Sequence, residues 1–309
     1  MSSEAKRPIL PPRLRPGDVL GLAAPAGPIA PEVLRQGIEL LEGAGLKLKY
    51  APDLDHREAY LAGTDERRLA ELHRLWDDDQ VKAILAVRGG YGCARLLSGL
   101  DFDLIARKPK ILLGFSDLTT LLNAISRRTG LVTYHGPLLS TLARDGRPAL
   151  LDALNALAPN ADQPPPLKGL EVLRPGRAQG PLLGGNLTCL VHLLATPYEP
   201  ELTGAILLLE DINEPAYRLD RMLTQLGLSG RLDRIAGVIL GEFLGGDGQT
   251  IADLELIWRR VLALTRHLVP VWANFPVGHG PRNILLPIGL PVMMDSDSGR
   301  LRLLDAGGC

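Results

Sequence analysis

The sequence predicts a two-domain α/β protein, with a parallel sheet covered by helices in the first half and a smaller, mixed α+β arrangement in the second. Three observations predict it. Short apolar runs alternate with helical patterns from about residue 18 to residue 137, as expected when every parallel strand is followed by a crossover helix. The composition then shifts at "APNADQPPPLKGLEVLRPGRA", where prolines stand between charged residues. Beyond it, strand-like and helical runs follow without clean alternation. A chain of 309 residues, 46% hydrophobic and 22% charged, is long enough to bury the cores this requires. The expected layout is an N-terminal α/β domain over 1–157, a proline-rich linker over 158–178 and a C-terminal domain over 179–309.

Taken in order, "DVLGLAAPAG" reads as a strand ending in a Pro/Gly loop. "PEVLRQGIELLEGAG" reads as a helix with Pro31 near its start and Gly43 and Gly45 at its end. Thr64 is the expected N-cap of "TDERRLAELHRLWDD", whose Leu69, Leu72, Leu75 and Trp76 fall at helical spacing. The strand "VKAILAV", the turn "RGGYG", a helix through Leu96 and Leu97, the strand "KILLGF", a helix starting near Asp117 and the strand "GLVTYHGP" complete the first half. In the second half, "AILLLE" and "AGVILGEF" read as strands, "AYRLDRMLTQLG" and "TIADLELIWRRVLALTRHL" as helices. "NILLPIG", "PVMMD" and "LRLLD" read as further strands.

Composition also excludes. Lys plus Arg number 34 against 35 Asp plus Glu, a formal charge of -1, so there is no global basic field for nucleic acid. Cys93, Cys189 and Cys309 are few, scattered and free of any C-x-x-C spacing, which argues against a disulfide framework and a zinc cage. The opening "MSSEAKRPILPPRLRPGD" lacks an apolar signal core, and no run approaches the ~18 apolar residues of a membrane span. A cytoplasmic protein is expected. H-E-x-x-H, Walker A and dinucleotide fingerprints are absent. "GFSDL" lacks the second glycine of a G-x-S-x-G elbow, and the one S-x-x-K, Ser3 to Lys6, lies at the extreme N-terminus without a downstream K-T-G.

Chemistry gathers beyond the carboxyl ends of parallel strands, where loops and helix N-termini converge. Ser116 stands at such an end, at a strand-to-helix turn whose following amides can face an oxyanion. An arbitrary serine there would only cap the helix. "VRGGYGCARLL" puts Gly89 and Gly90 at another strand end, where backbone amides can approach a substrate, although Gly-Gly alone is usually just a turn. Together the two ends suggest acyl transfer. Among the histidines, His73 and His267 have charged helical neighbours, His192 lies in an apolar run and His56 in a polar loop. His135 in "VTYHGP" and His279 in "FPVGHGPRN" both follow strand-like runs beside glycine, and the residues alone do not choose between them. An orienting carboxylate could come from Glu210, Asp211 or Glu214 in "AILLLEDINEP", a stretch that also fits a solvated turn.

Seven ordered segments then stand out: "RPGDVLGLAAPAGP", "RGGYGCARLL", "GFSDLTTLLNAI", "TYHGP", "LLGGNLTCL", "LLLEDINEPAYRLDRML" and "VGHGPRNILLPIG". Together, over about residues 10 to 305, they resemble the LD-carboxypeptidase family of serine peptidases, the muramoyltetrapeptide carboxypeptidases. The resemblance implies a flavodoxin-like N-terminal domain, a smaller C-terminal domain, an active site in the groove between them and a homodimer. It implies Ser116 as nucleophile, with Glu210 and His279 completing the triad. The backbone N–H groups of Asp117 and of Gly89 or Gly90 form the implied oxyanion hole. Arg88, Gly185 and Asn186 are the expected substrate contacts, with Arg282 nearby. No metal or organic cofactor is implied. The implied reaction is release of terminal D-alanine from the L-centre of meso-diaminopimelate in murein tetrapeptides, during peptidoglycan recycling.

Two rivals accompany this reading. Some relatives resemble microcin-immunity proteins that cleave aminoacyl or peptidyl nucleotides and carry an aromatic loop for base stacking. Here "GEFLGGDGQ" offers only Phe243. The other rival is a ligand-binding protein on an inactive hydrolase fold, against which an intact Ser116, Glu210 and His279 speak.

Overall fold

The structure is a computed structural model, and it describes residues 7–158, 169–265 and 269–304. The chain divides into two compact units, one of residues 1–162 with 284–287, the other of residues 163–283 with 288–309. The first contains β1 (Val19–Ala23), α1 (Pro31–Glu42), β2 (Lys47–Lys49), α2 (Asp65–Asp77), β3 (Val81–Ala86), α3 (Cys93–Leu96), α4 (Phe102–Arg107) and β4 (Ile111–Gly114). It continues through α5 (Thr119–Thr129), β5 (Thr133–His135) and α6 (Leu139–Leu157). The second contains β6 (Glu171–Arg174), β7 (Arg177–Asn186), α7 (Leu187–Val191), β8 (Ile206–Ile212), α8 (Ala216–Leu228), β9 (Gly237–Leu244), α9 (Leu254–Leu264) and β10 (Val271–Ala273). The last strands are β11 (Leu286–Ile288), β12 (Pro291–Asp295) and β13 (Arg300–Leu303).

In the first unit the strands run β11-β5-β4-β3-β1-β2, and the β2-β1, β1-β3, β3-β4 and β4-β5 pairs are parallel. The 2-1-3-4-5 order is flavodoxin-like, with its switch point between β1 and β3. The sequence folds this way because β1, β3 and β4 are apolar on both faces while the helices carry one apolar stripe. In α2, Thr64 accepts the Arg67 N–H at 3.3 Å as expected, and Leu72, Leu75 and Trp76 are buried. Each such side chain contributes roughly 1.5–3 kcal/mol. Arg68 is buried on the same helix, bonded to Asp65 and to the carbonyls of Gly63 and Pro25, so it pins the loop after β1.

The second unit is a mixed sheet in the order β13-β12-β7-β8-β9-β10-β6. Its centre, β7 through β10, is parallel, and β12, β13 and β6 flank it in antiparallel pairing. Three features differ from the sequence reading. Part of the expected linker is a strand, β6, while residues 159–168 lie outside the described residues. The run "NILLPIG" supplies β11 to the sheet of the first unit, although it lies within the stretch assigned to the C-terminal domain. The expected helix over 250–268 begins only at Leu254, with Asp253 as its N-cap. His267, Cys309 and the Ser3–Lys6 stretch lie outside the described residues.

Candidate active site

On the first unit, three loops after β1, β3 and β4 meet around Ser116. The chain leaves β4 in extended form at Phe115, and Ser116 then takes φ 62, in the left-handed region. A single L-residue held there costs on the order of 1 kcal/mol. A short 3₁₀ turn, Ser116–Leu118, leads into α5. Asp117 is buried, and its Oδ2 accepts the Cys93 N–H at 2.8 Å, which fastens this turn to the start of α3. Gly89 lies against the serine: a Cβ there would stand 3.0 Å from Ser116 Cβ and 3.1 Å from its Oγ. Gly90 has φ 111, a conformation open to glycine. The Gly27 N–H donates to the Gly89 carbonyl at 3.0 Å, joining the β1 and β3 loops at the switch point. Arg88 is exposed and donates to the Pro28 carbonyl at 2.6 Å. His135, the other histidine favoured by sequence chemistry, is fully buried in β5 with its ring 5.7 Å from Phe115.

On the second unit, Glu210 ends the apolar part of β8 and is fully buried. Its Oε2 lies 2.8 Å from His279 Nδ1, the contact that fixes an imidazole's tautomer and orientation. Two glycines clear the space. A Cβ on Gly278, at φ 120, would stand 3.0 Å from Glu210 Oε2, and one on Gly241 would stand 2.5 Å from the Val277 carbonyl and 3.1 Å from Glu210 Cβ. The Gly278 N–H donates to Asn283 Oδ1, closing the turn that carries His279.

The neighbouring carboxylates do other work. Asp211 accepts from Asn186 Nδ2 at 2.9 Å, from the Thr188 N–H and hydroxyl at 2.9 and 2.8 Å, and from the Ile212 N–H. Burial, then the charge of Glu210, push its carboxyl up to about 6. Glu214 stands before α8, 3.6 Å from Arg218 Nη1. Asn186, expected at the substrate, is 4% exposed, and its amide is used twice, on Asp211 and as the N-cap of α7. Gly185, at φ 130, is buried in β7 opposite Leu209. Phe243 is 1% exposed, so its ring offers no stacking surface.

The sequence reading passed over Glu242. It follows Gly241 on β9, its carboxylate lies against Gly280, and it interacts electrostatically with His279 and Glu210. The available signal is a second apolar strand, "GVILGEF", interrupted by a carboxylate near its end much as "ILLLE" is closed by one. Among the described residues, no three His, Cys, Asp or Glu side chains group as a metal site, and no helix is long and apolar enough to cross a membrane.

Comparison with known proteins gives these features a class. The LD-carboxypeptidase N-terminal domain matches residues 20–136, and the LD-carboxypeptidase C-terminal domain matches residues 179–294. The chain is 38% identical to a probable murein peptide carboxypeptidase of Bacillus subtilis, covering 96% of this chain and 94% of that protein. It is 36% identical to the murein tetrapeptide carboxypeptidase of Pseudomonas aeruginosa, over 92% of this chain and 94% of the relative. The crystal structure of an MccF-like protein from Bacillus anthracis superposes with a TM-score of 0.84 at 27% identity, covering 96% of this chain and 98% of that one. The chain is therefore a hydrolase of the carboxypeptidase class. It belongs to the LD-carboxypeptidase family.

Proposed function

We propose that this carboxypeptidase is of the serine type and hydrolyses the bond between the L-centre of meso-diaminopimelate and the terminal D-alanine of murein tetrapeptides. The observation that carries the substrate class is the near full-length match to murein carboxypeptidases. In this reading His279 takes the Ser116 proton as Oγ attacks the scissile carbonyl, and Glu210 stabilises the imidazolium that results. Backbone N–H groups of Gly89 or Gly90 and of Asp117 receive the oxyanion, a role whose loss costs about 3 kcal/mol per donor. His279 returns the proton to the leaving amine, D-alanine departs, and water, activated by the same imidazole, hydrolyses the ester to regenerate Ser116. The Ser116 conformation, the closeness of Gly89 and the Glu210–His279 contact support these roles. The family resemblance adds a cytoplasmic homodimer, the oligomeric part of which sedimentation equilibrium checks.

The deciding assay incubates the enzyme with murein tetrapeptide and with the pentapeptide ending in D-alanyl-D-alanine. D-alanine is expected from the first alone. Efficient release from the pentapeptide, or none from the tetrapeptide, overturns the assignment. A second reading, hydrolysis of aminoacyl or peptidyl nucleotides, has support in the MccF-like likeness. It gains some from the exposed Tyr60 and Tyr91 rings, 5.8 Å apart, the latter next to Gly90. Cleavage of an aminoacyl nucleotide in preference to the tetrapeptide would favour it.

A further inference from the structure

Glu242 is a carboxylate that the triad leaves unused. It is half-buried, its Oε2 is enclosed with no hydrogen-bond partner, and no ion pair involves it among the described residues. A carboxylate in that position costs stability unless it serves something. What it serves is legible from its surroundings. Its backbone N–H donates to the Val277 carbonyl at 3.0 Å, and its carboxylate lies against Gly280, the residue after His279, whose N–H favours its charged form. It therefore clasps the His279 turn from both sides of the peptide chain.

Gly280 is the second clue. Its φ lies outside the left-handed region, so its backbone does not call for glycine. What calls for glycine is Glu242, because a Cβ at position 280 would fall on both carboxylate oxygens, well inside van der Waals contact. The space at Gly280 exists for that carboxylate.

We infer that Glu242 is a positioning residue for His279, holding the turn through the Gly280 N–H and adding a second negative charge beside the imidazole already bonded to Glu210. This rests on the reading that His279 is the base. The charged groups facing Glu242 are Glu210 from β8 and His279 from the clasped turn, and Arg282 on the same turn is exposed. Burial and the Glu210 charge push the Glu242 carboxyl upward, and the Gly280 N–H pulls it back. A nearby anion favours the imidazolium, so removing the charge makes the histidine easier to deprotonate.

The test uses Glu242→Gln, Glu242→Ala, Gly280→Ala and the Glu242→Ala/Gly280→Ala double variant. Glutamine keeps an acceptor for the Gly280 N–H and loses the charge. Its acid limb of kcat/KM should move to lower pH by about half a unit or more, with KM changed less than about twofold. Glu242→Ala, which also releases the turn, should lower kcat by about tenfold or more. Gly280→Ala should be comparably damaging alone and cost little further in the Glu242→Ala background, the non-additivity expected of two residues in contact. An unmoved acid limb in Glu242→Gln, or a Gly280→Ala penalty that is the same with and without Glu242, overturns the inference. If Glu242→Gln fails to fold by circular dichroism, the alanine cycle still decides. If the wild type releases no D-alanine, the functional reading fails. The NMR titration midpoint of the His279 ring, lower in Glu242→Gln if the inference holds and unchanged if it does not, then remains readable.

Discussion

Ser116 holds a left-handed backbone conformation that a serine gains nothing from locally, with Gly89 cut back to make room for its side chain. Strain retained in this way is characteristic of functional turns. Ser116→Ala should keep the fold and lose several orders of magnitude in turnover, because removal of a triad member typically leaves ~10³–10⁴-fold acceleration. Ser116→Gly should be equally inactive but melt close to the wild type, since relief of the left-handed cost is offset by the added freedom of glycine in the unfolded chain. The two carboxylates on either side of Asn213 give a sharper comparison. Glu210→Gln removes the charge facing His279 and should cripple turnover, whereas Glu214→Gln, beside Arg218 at the start of α8, should change it little. If Glu214→Gln is the crippled variant, Glu210 is not the orienting carboxylate. At this scale the sequence exposes the candidates, because a polar residue ending an apolar strand is visible as a break in pattern. It does not choose between His135 and His279, since the burial of one against Phe115 and the contact of the other with Glu210 depend on residues far away in the chain. The same break in pattern marks Glu242, but its meaning lies in a glycine on another segment.

At the level of elements, β8 shows how one strand separates two carboxylates. Successive side chains face opposite sides, so Glu210 reaches His279 while Asp211 turns to the N-terminus of α7. Asp211 is held protonated up to about pH 6 against an ordinary value of 3.8. Between those values the folded chain binds more protons than the unfolded one, so this group makes the unfolding free energy fall as pH rises, with the effect complete above about 6. Asp211→Asn should flatten the wild-type slope across that window in urea melts at stepped pH. It should also destabilise at every pH, since an amide cannot accept all four hydrogen bonds that Asp211 takes. The most legible elements are those with strong apolar pattern, such as β3, β8, β9 and α2. β7 is not legible, because Gly180, Pro181, Gly184 and Gly185 give it the composition of a turn. Gly184 is required there by the neighbouring strand, since a Cβ would collide with the Leu208 carbonyl.

On the scale of the whole molecule, the proposed nucleophile belongs to the first unit and the proposed acid and base to the second, and the chain crosses between the units again after them. The return crossing is β11, whose Leu286 and Ile288 are fully buried. Nothing in its apolar pattern tells which sheet it joins, since a three-residue run fits any open edge, so sequence proximity groups it with the C-terminal domain although it pairs in the first sheet. Leu286→Ala should destabilise the protein by about 2–5 kcal/mol. Hydrogen exchange should quicken at Thr133–His135 of β5, the strand it borders, while the distant β8 amides stay protected.

The same strand sets an order of events during synthesis. Every other strand of the first sheet has been synthesised by His135, yet the outer edge of β5 stays open until β11 emerges, after nearly all of the second unit has been made. An uncovered edge is a template for pairing with other chains, so the first unit passes through translation as an unfinished sheet. Its protection in that interval falls to chaperones or to the speed of elongation, and slowing the ribosome between β5 and β11 should raise the aggregated fraction more than slowing it after β13.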